Sequence, residues 1–460
     1  MRGAAGFLLL LLLAGCVGPQ QYYIAPTLTP GTVPAMNTPG YWIGKLAEPD
    51  RLLMTADEID SLNARVRTEL KTVADIGAYP ATLQGAALRR ELQGTWAEMA
   101  RQELWCGDDG AVTDDAFYAA IAQTMNIAAI PDTVTTRFAL VTAYADQRVL
   151  PTDEVLCAEP GDVNFDELQN SAYDIGTPLA VVHASADGRW LYAVAPLSNG
   201  WIAADRVAFC TRAELHSYLA MGPRVVATAA KADMYSDRAL RIPYHSIRLG
   251  TWLPSGKATG VLTGAALAEW QDMTILTVTV PMRMTDGTMQ LTRKFMRRDE
   301  GHEDFLPLTS RSLIQTAFTM LNTPYGWGDM YGEQDCSRFI QQVFAVHGVQ
   351  FPRNSTAQGQ VGTALPLTRE TPAEEKNTLL AMRGIGGATV LELNGHIMLY
   401  LGSVDGKPFV IHDIWGYRTP SPTGDVVHAI NKVAVTSLEL GRGSRRGALI
   451  ERIRTARQIP

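Results

Sequence analysis

From Ala56 to about Ile127 apolar residues recur at helical spacing: Ile59, Leu62, Val66 and Leu70 share one face. Thr55 with Glu58 gives that helix a capping box, in which each side chain satisfies a backbone N–H of the first turn. Near Phe138 the pattern changes to short apolar runs of strand length, at Phe138 to Thr142 and at Leu179 to His183. Asp187-Gly188 is a tight turn joining two strands, and Gly200-Trp201-Ile202 follows closely. Turn signals at roughly 8–12-residue spacing predict a small barrel. A second β-rich stretch runs to about residue 300, with its clearest strand at Thr274 to Val280 and a hairpin around Asp286-Gly287. Gly250 to Pro254 marks another turn into a strand. The remainder is mixed: helices at Ser310 to Leu321 and Cys336 to Val346, then strands at Thr389 to Leu393, His396 to Leu401 and Phe409 to His412.

The N-terminus carries a different signal. Met1-Arg2 is followed by the apolar run Phe7 to Leu13, well short of the roughly 20 residues that span a bilayer, so it reads as a signal peptide. Leu13-Ala14-Gly15-Cys16 matches the bacterial lipobox, in which the cysteine is acylated. Each buried methylene of such an anchor contributes about 0.8 kcal/mol. The expected location is the cell envelope, lipid-anchored and facing the periplasm. Val17 lacks the Asp that marks inner-membrane retention, which points to the outer membrane. Pro19, Pro26, Pro30, Pro34 and Pro39 make the next stretch a tether. The expected division is therefore signal peptide 1–16, tether 17–45, helical segment 46–129, β domains 130–215 and 216–300, and a C-terminal domain 301–460.

A chain of 460 residues exceeds one ordinary core, and 46% hydrophobic with 19% charged residues is a globular composition. The net charge of -7 comes without a basic block, which argues against nucleic acid as a partner. An oxidising envelope permits disulfides; if Cys336 stays a thiol, one bridge or none joins Cys106, Cys157 and Cys210. The order Gly176-x-Pro178, strand, Asp187-Gly188-x-Trp190, strand, Gly200-Trp201-Ile202 resembles a bacterial SH3-like domain over about 130–215. A second SH3-like barrel fits 216–300, without an alignable repeat. Trp190, Tyr192 and Trp201 read as barrel core.

Chemistry concentrates near residue 336. The turn Pro324-Tyr325-Gly326-Trp327-Gly328 precedes Asp335-Cys336-Ser337, and glycines there let backbone approach a substrate. A cysteine at a helix start faces the positive end of the helix, which favours the thiolate. His396 opens a strand directly after Gly395, and His412 ends the next strand. Neighbouring antiparallel strands of that length bring both imidazoles to one sheet edge, as nucleophile, base and orienter require. No third ligand falls at zinc-like spacing, so neither metal nor cofactor is expected. His183, His216, His245, His302, His347 and His428 have no motif around them.

The runs beginning at Tyr325 (Tyr-Gly-Trp-Gly), Asp335 (Asp-Cys-Ser-x-Phe-Ile), Phe344, Gly395 (Gly-His-Ile-Met-Leu-Tyr-Leu-Gly) and Ile411 (Ile-His) resemble the NlpC family of papain-like cell-wall peptidases. With two SH3-like domains upstream, the chain resembles the subgroup in which these domains cap the cleft. The resemblance implies an α+β multidomain fold ending in a papain-like peptidase domain. It implies catalytic Cys336, base His396 and third residue His412, with Tyr325, Asp335 and Ser337 lining the cleft and Asp335 meeting a substrate amine. It further implies a monomer acting on peptidoglycan stem peptides or muropeptides, cleaving γ-D-glutamyl–diamino acid bonds and preferring a free N-terminal L-alanine. Arg338-Phe339 departs from the Gly-Leu of many relatives. A non-catalytic wall-binding lipoprotein and a papain-like amidase or acyltransferase are the alternatives.

Overall fold

The computed structural model describes residues 23–24, 28–107, 110–255 and 274–459. The lipobox Cys16 and the signal peptide lie outside them. Among the described residues, no helix is long and apolar enough to cross a membrane.

Part of the stretch expected to be a tether is instead core. Pro34 and Pro39 each open a short helix, Pro34–Asn37 and Pro39–Ile43, where a missing N–H costs nothing. The apolar residues between the prolines decide the outcome. Trp42 is fully buried against Phe409, 5.6 Å between ring centroids, and its Nε1 donates to the Met36 carbonyl at 2.8 Å. The expected helical segment also divides between two partners. The helix Ala56–Arg65, capped by Thr55 and Glu58, sends Leu62 into the C-terminal core. Gly85–Met99 and Asp115–Met125 pack Leu88, Leu92, Tyr118 and Met125 onto the first barrel.

That barrel is a seven-stranded sheet of Arg137–Val141, Ala145–Arg148, Gln169–Tyr173, Pro178–Ala184, Trp190–Val194, Asn199–Ala203 and Val207–Cys210. Its strands alternate between two apolar faces. Leu191, Ala193 and Ile202 fill the barrel interior, while Trp190, Tyr192 and Trp201 face the helices, so these aromatics are core between layers. Residues 149–168 leave the barrel as a long excursion. Asp166 anchors it, pairing with Arg148 and accepting from the backbone N–H groups of Leu156 and Leu168. Cys106 and Cys157 lie on the paired strands Trp105–Cys106 and Leu156–Cys157 at the base of this excursion.

A second β unit follows. It combines a three-stranded sheet (Arg224–Ala227, Trp252–Pro254, Gly301–Glu303) with a four-stranded one (Lys231–Tyr235, Pro243–Arg248, Ile275–Arg283, Met289–Arg297). Val225, Ile247, Leu253, Val278 and Met296 share their core.

In the C-terminal domain, helices α1 (Ser310–Thr319) and α2 (Cys336–Ala345) cover one face of a sheet. Its central strands are β1 (Thr389–Leu393), β2 (His396–Val404), β3 (Lys407–Thr419), β4 (Val426–Ser437) and β5 (Ile453–Gln458), in spatial order β4-β3-β2-β1-β5. Ile397, Leu399, Ile411 and Val433 meet the helices, and Met398, Tyr400 and Val410 pack on the opposite layer with Leu380 and Ile450. The molecule is thus α+β and multidomain.

Candidate active site

Helix α2 begins at Cys336 because Asp335 caps it: Oδ1 accepts from the N–H groups of Ser337 at 3.1 Å and Arg338 at 2.9 Å. Phe339, Ile340, Val343 and Phe344 then bury the helix against the sheet. Cys336 is 7% exposed, and the Ile397 N–H of β2 points at its sulfur. The two-residue turn Asn394-Gly395, with Gly395 at φ +74°, pairs Leu393 with His396 and sets His396 at the start of β2, one residue before the N–H that meets the sulfur. His396 Nε2 lies 2.7 Å from His412 Nδ1, and His412 Nε2 lies 2.9 Å from Thr436 Oγ1. Thiol, two imidazoles and hydroxyl therefore come from α2 and from three adjacent strands, β2, β3 and β4. Thr436 escaped the sequence reading because nothing distinguishes it from other threonines in strands.

This line leaves His396 Nδ1 as the ring nitrogen available to the thiol. An unprotonated Nδ1 requires His396 Nε2–H to donate to His412 Nδ1, and His412 Nε2–H to donate to Thr436 Oγ1. In that arrangement the Thr436 hydroxyl accepts from His412 Nε2–H.

Burial dominates the electrostatics here and reverses one expectation. It pushes the Cys336 thiol up to about 12, helped by the negative charges of Asp335 and Asp413. Ile397 N–H and Arg353 act the other way but lose, so the thiol is raised where a lowered one was expected. Burial, with Arg452 nearby, lowers His396 to about 4, and burial next to His396 holds His412 well below the ordinary imidazole range. The resting site is a neutral thiol beside neutral imidazoles. Asp413 is a further buried acid: its Oδ2 accepts from Gln334 Nε2 at 2.7 Å, while Oδ1 has no partner among the described residues. Burial drives its carboxyl well above the usual range.

Beside this neutral line sits an ionic knot. Asp329, fully buried, binds Arg338 through Nε at 2.9 Å and Nη2, and Arg353 Nη2 at 3.1 Å, with Arg248 Nη1 at 3.7 Å. Its Oδ2 also accepts from Ser171 Oγ and the Ala172 N–H of the first barrel, and Arg248 pairs with Asp174. Burial alone would raise the Asp329 carboxyl, but the guanidiniums pull it far below its ordinary value. Arg338, noted above only as a departure from the family, therefore ties the peptidase domain to the first barrel. The knot also holds residues expected to line the cleft. Asp335 Oδ1 and Oδ2 accept from Arg353 Nη1 at 3.0 Å and Nη2 at 2.7 Å, and Ser337 Oγ donates to Asp335 at 2.9 Å. Asp335 is thus occupied first as a helix cap and ion-pair partner. Its Oδ2, with a single bond, is the atom left for a further donor.

The mouth of the site is aromatic. Phe165, from the excursion of the first barrel, sits 4.9 Å from Trp415, 5.4 Å from Trp327 and 6.4 Å from Tyr325, ring to ring. Trp327 Nε1 donates to the Asp166 carbonyl at 3.1 Å. Gly328, at φ +58°, lets the loop meet the barrel so closely that a Cβ would lie 2.5 Å from the Gln169 carbonyl. Tyr325 is half-buried, and burial together with Cys336 and Asp335 raises its phenol. A larger cavity of about 470 Å³ lies behind α2, lined by Gln341, Gln342, Trp252 and Arg248; Cys336 does not border it.

A sequence model described as the NlpC/P60 family matches residues 322–418, the span holding Tyr325, Cys336, His396 and His412. Residues 322–418 thus form an NlpC/P60 domain. NlpC/P60 proteins are cysteine peptidases. An SH3 domain model of the SH3b1 type matches residues 158–203, within the first barrel and its excursion. The chain is 29% identical over 102 residues to a Bacillus subtilis (strain 168) protein named gamma-D-glutamyl-L-lysine dipeptidyl-peptidase. The match spans 21% of this chain and 34% of that relative's length. An NlpC/P60 endopeptidase from Photobacterium damselae subsp. piscicida shares the fold at a TM-score of 0.74 and 17% identity, over 95% of this chain and 99% of that one. A Bacillus cereus ATCC 10987 NlpC/P60 family protein aligns over 70% of this chain and 99% of its own, with 18% identity and a TM-score of 0.46.

Proposed function

We propose that the protein is a peptidoglycan cysteine endopeptidase that hydrolyses the bond between γ-D-glutamate and a diamino acid in stem peptides. The observation that carries this reading is the line His396, His412, Thr436, opening beside the Ile397 N–H that meets Cys336, beneath an aromatic mouth part-built by the first barrel. The name of the Bacillus subtilis relative supports the choice of bond.

Cys336 Sγ attacks the γ-carbonyl carbon as its proton passes to His396 Nδ1. The resulting oxyanion meets the Cys336 N–H and the Tyr325 hydroxyl. Collapse breaks the C–N bond; His396 returns the proton to the leaving amine, and a thioester remains. Water, deprotonated by His396, then attacks that thioester, releasing the γ-carboxylate and restoring the thiol. Phe165 and the excursion around it close one end of the cleft, which favours short peptides with a free N-terminal L-alanine. The remaining acceptor site on Asp335 Oδ2 suits that ammonium. Acylation at Cys16 anchors a monomer to the envelope membrane, most simply the outer one.

The test is digestion of L-Ala-γ-D-Glu-diaminopimelate and of its N-muramyl form, with products read by mass spectrometry. Cleavage of the free-amine peptide alone is expected. Equal cleavage of both removes the free-amine requirement, and a Cys336→Ala variant that still cuts would overturn the mechanism.

A further inference from the structure

A groove of about 110 Å³ opens at the sheet end that carries His396, lined by Trp415, Arg418, Ser444, Arg446 and Arg452 among others. Two facts place it beside the general base. Arg452 immediately precedes Ile453, which pairs with Leu393, and Leu393 is the hairpin partner of His396. Trp415 follows His412 on the same strand β3 and stacks in the aromatic mouth with Phe165 and Tyr325. One wall of the groove is therefore a wall of the reaction site.

The charge in this groove is uncompensated. Among the described residues, the side chains of Arg418, Arg446 and Arg452 have no ion pair or hydrogen bond, and the neighbouring acids are engaged elsewhere. Glu451 accepts from the Ala448 N–H, Asp425 from the Arg445 N–H, and Glu439 pairs with Arg442. Arg452 is half-buried; burial first, and the facing Arg446 second, oppose its charge. Two facing guanidiniums without a counter-ion form a site for an anion, since planar bidentate pairing with a carboxylate removes their repulsion.

The chemistry of the reaction says which anion. His396 hands its proton to the leaving amine, so the leaving group departs on the side of His396, where Arg452 stands. We infer that the groove is the leaving-group subsite and holds a free carboxylate of the released diamino acid. The inference rests on the function proposed above and extends it: the enzyme selects an anionic amino acid on the leaving side. The carboxylate has two sources, the α-carboxylate of a C-terminal residue or the second carboxylate of a diaminopimelate side chain.

The experiment uses the full chain on L-Ala-γ-D-Glu-X, with X as diaminopimelate, lysine or lysinamide. Lysine cleaved about 10-fold more efficiently than lysinamide assigns the α-carboxylate; diaminopimelate preferred about 10-fold over lysine assigns the side-chain group. Arg446→Gln and Arg452→Gln should collapse these ratios toward one through KM on the preferred acid. Equal handling of all three substrates by the unaltered protein overturns the subsite, as do variants that keep its ratios. Should no substrate be cut, the proposed reaction fails, and the groove is then read by calorimetric titration of Cys336→Ala with free diaminopimelate. Binding weakened about 10-fold by adding Arg452→Gln supports the subsite, and absent or unchanged binding overturns it.

Discussion

Two buried polar clusters meet at the start of α2, and they are built on opposite principles. The line His396, His412 and Thr436 is neutral, single-file and open at the His396 Nδ1 end. The knot of Asp329, Arg248, Arg338 and Arg353 is ionic and branched, and it links three parts of the chain. Burying charges this deeply is tolerable only when each is paired and hydrogen-bonded. Every charge of the knot is paired, with only Arg248 Nη1 lacking a hydrogen bond among the described residues, and so the knot can clamp a barrel over the cleft. The neutral line has no such charge to clamp, and the thiol proton beside it is the one the proposed chemistry moves. Asp335 touches both clusters, capping the helix that carries the nucleophile and pairing with Arg353.

The strongest way to sharpen the contrast is Cys336→Ala. It should lower the rate of stem-peptide cleavage by about 10⁴-fold or more while leaving the melting temperature nearly unchanged. Asp329→Asn should do the reverse, destabilising by about 3–5 kcal/mol because buried guanidiniums lose their shared counter-charge. Urea denaturation reads this, and an unchanged midpoint would mean that the knot is not a clamp. His412→Ala should come next, with a loss of about 10²-fold in kcat and little change in KM, as expected of a positioning residue whose loss frees the His396 tautomer. Full activity in that variant would remove His412 and Thr436 from the line.

The smallest effect is a dependence of stability on pH. Desolvation of half-buried His396 and buried His347 places both near 4 in the folded chain, against roughly 6.5 when unfolded. The unfolded chain therefore binds more protons between those values. Stability is full above about pH 6.5 and falls as the pH drops toward 4. His347, held by Ser312 Oγ and the Val343 carbonyl, lies outside the reaction line, so His347→Gln should flatten part of that slope and leave catalysis alone. A denaturation midpoint constant from pH 7 to pH 5 would contradict the neutral reading of the imidazoles.

Local signals were legible in the sequence because their causes are local. A capping box, an Asp-Gly turn or a cysteine behind an N-cap aspartate is set by residues two to four apart, and each formed where its pattern lies. The Pro-rich stretch misled at its end, since proline counts say nothing about where Trp42 finds a cavity. Thiol acidity misled for a related reason: the helix start is visible in the sequence, but the depth of burial that outweighs it is not.

The sequence by itself determined the elements, the order of nucleophile and imidazoles, and the period-two alternation that gives each strand two faces. It took the packed chain to show that Arg338 serves Ser171, 167 residues earlier, that Phe165 meets Trp327 of another domain, and that Thr436 lies against His412. Ion pairs and ring contacts between distant segments carry no periodicity, and a desolvation energy belongs to the packed interior rather than to any residue in it.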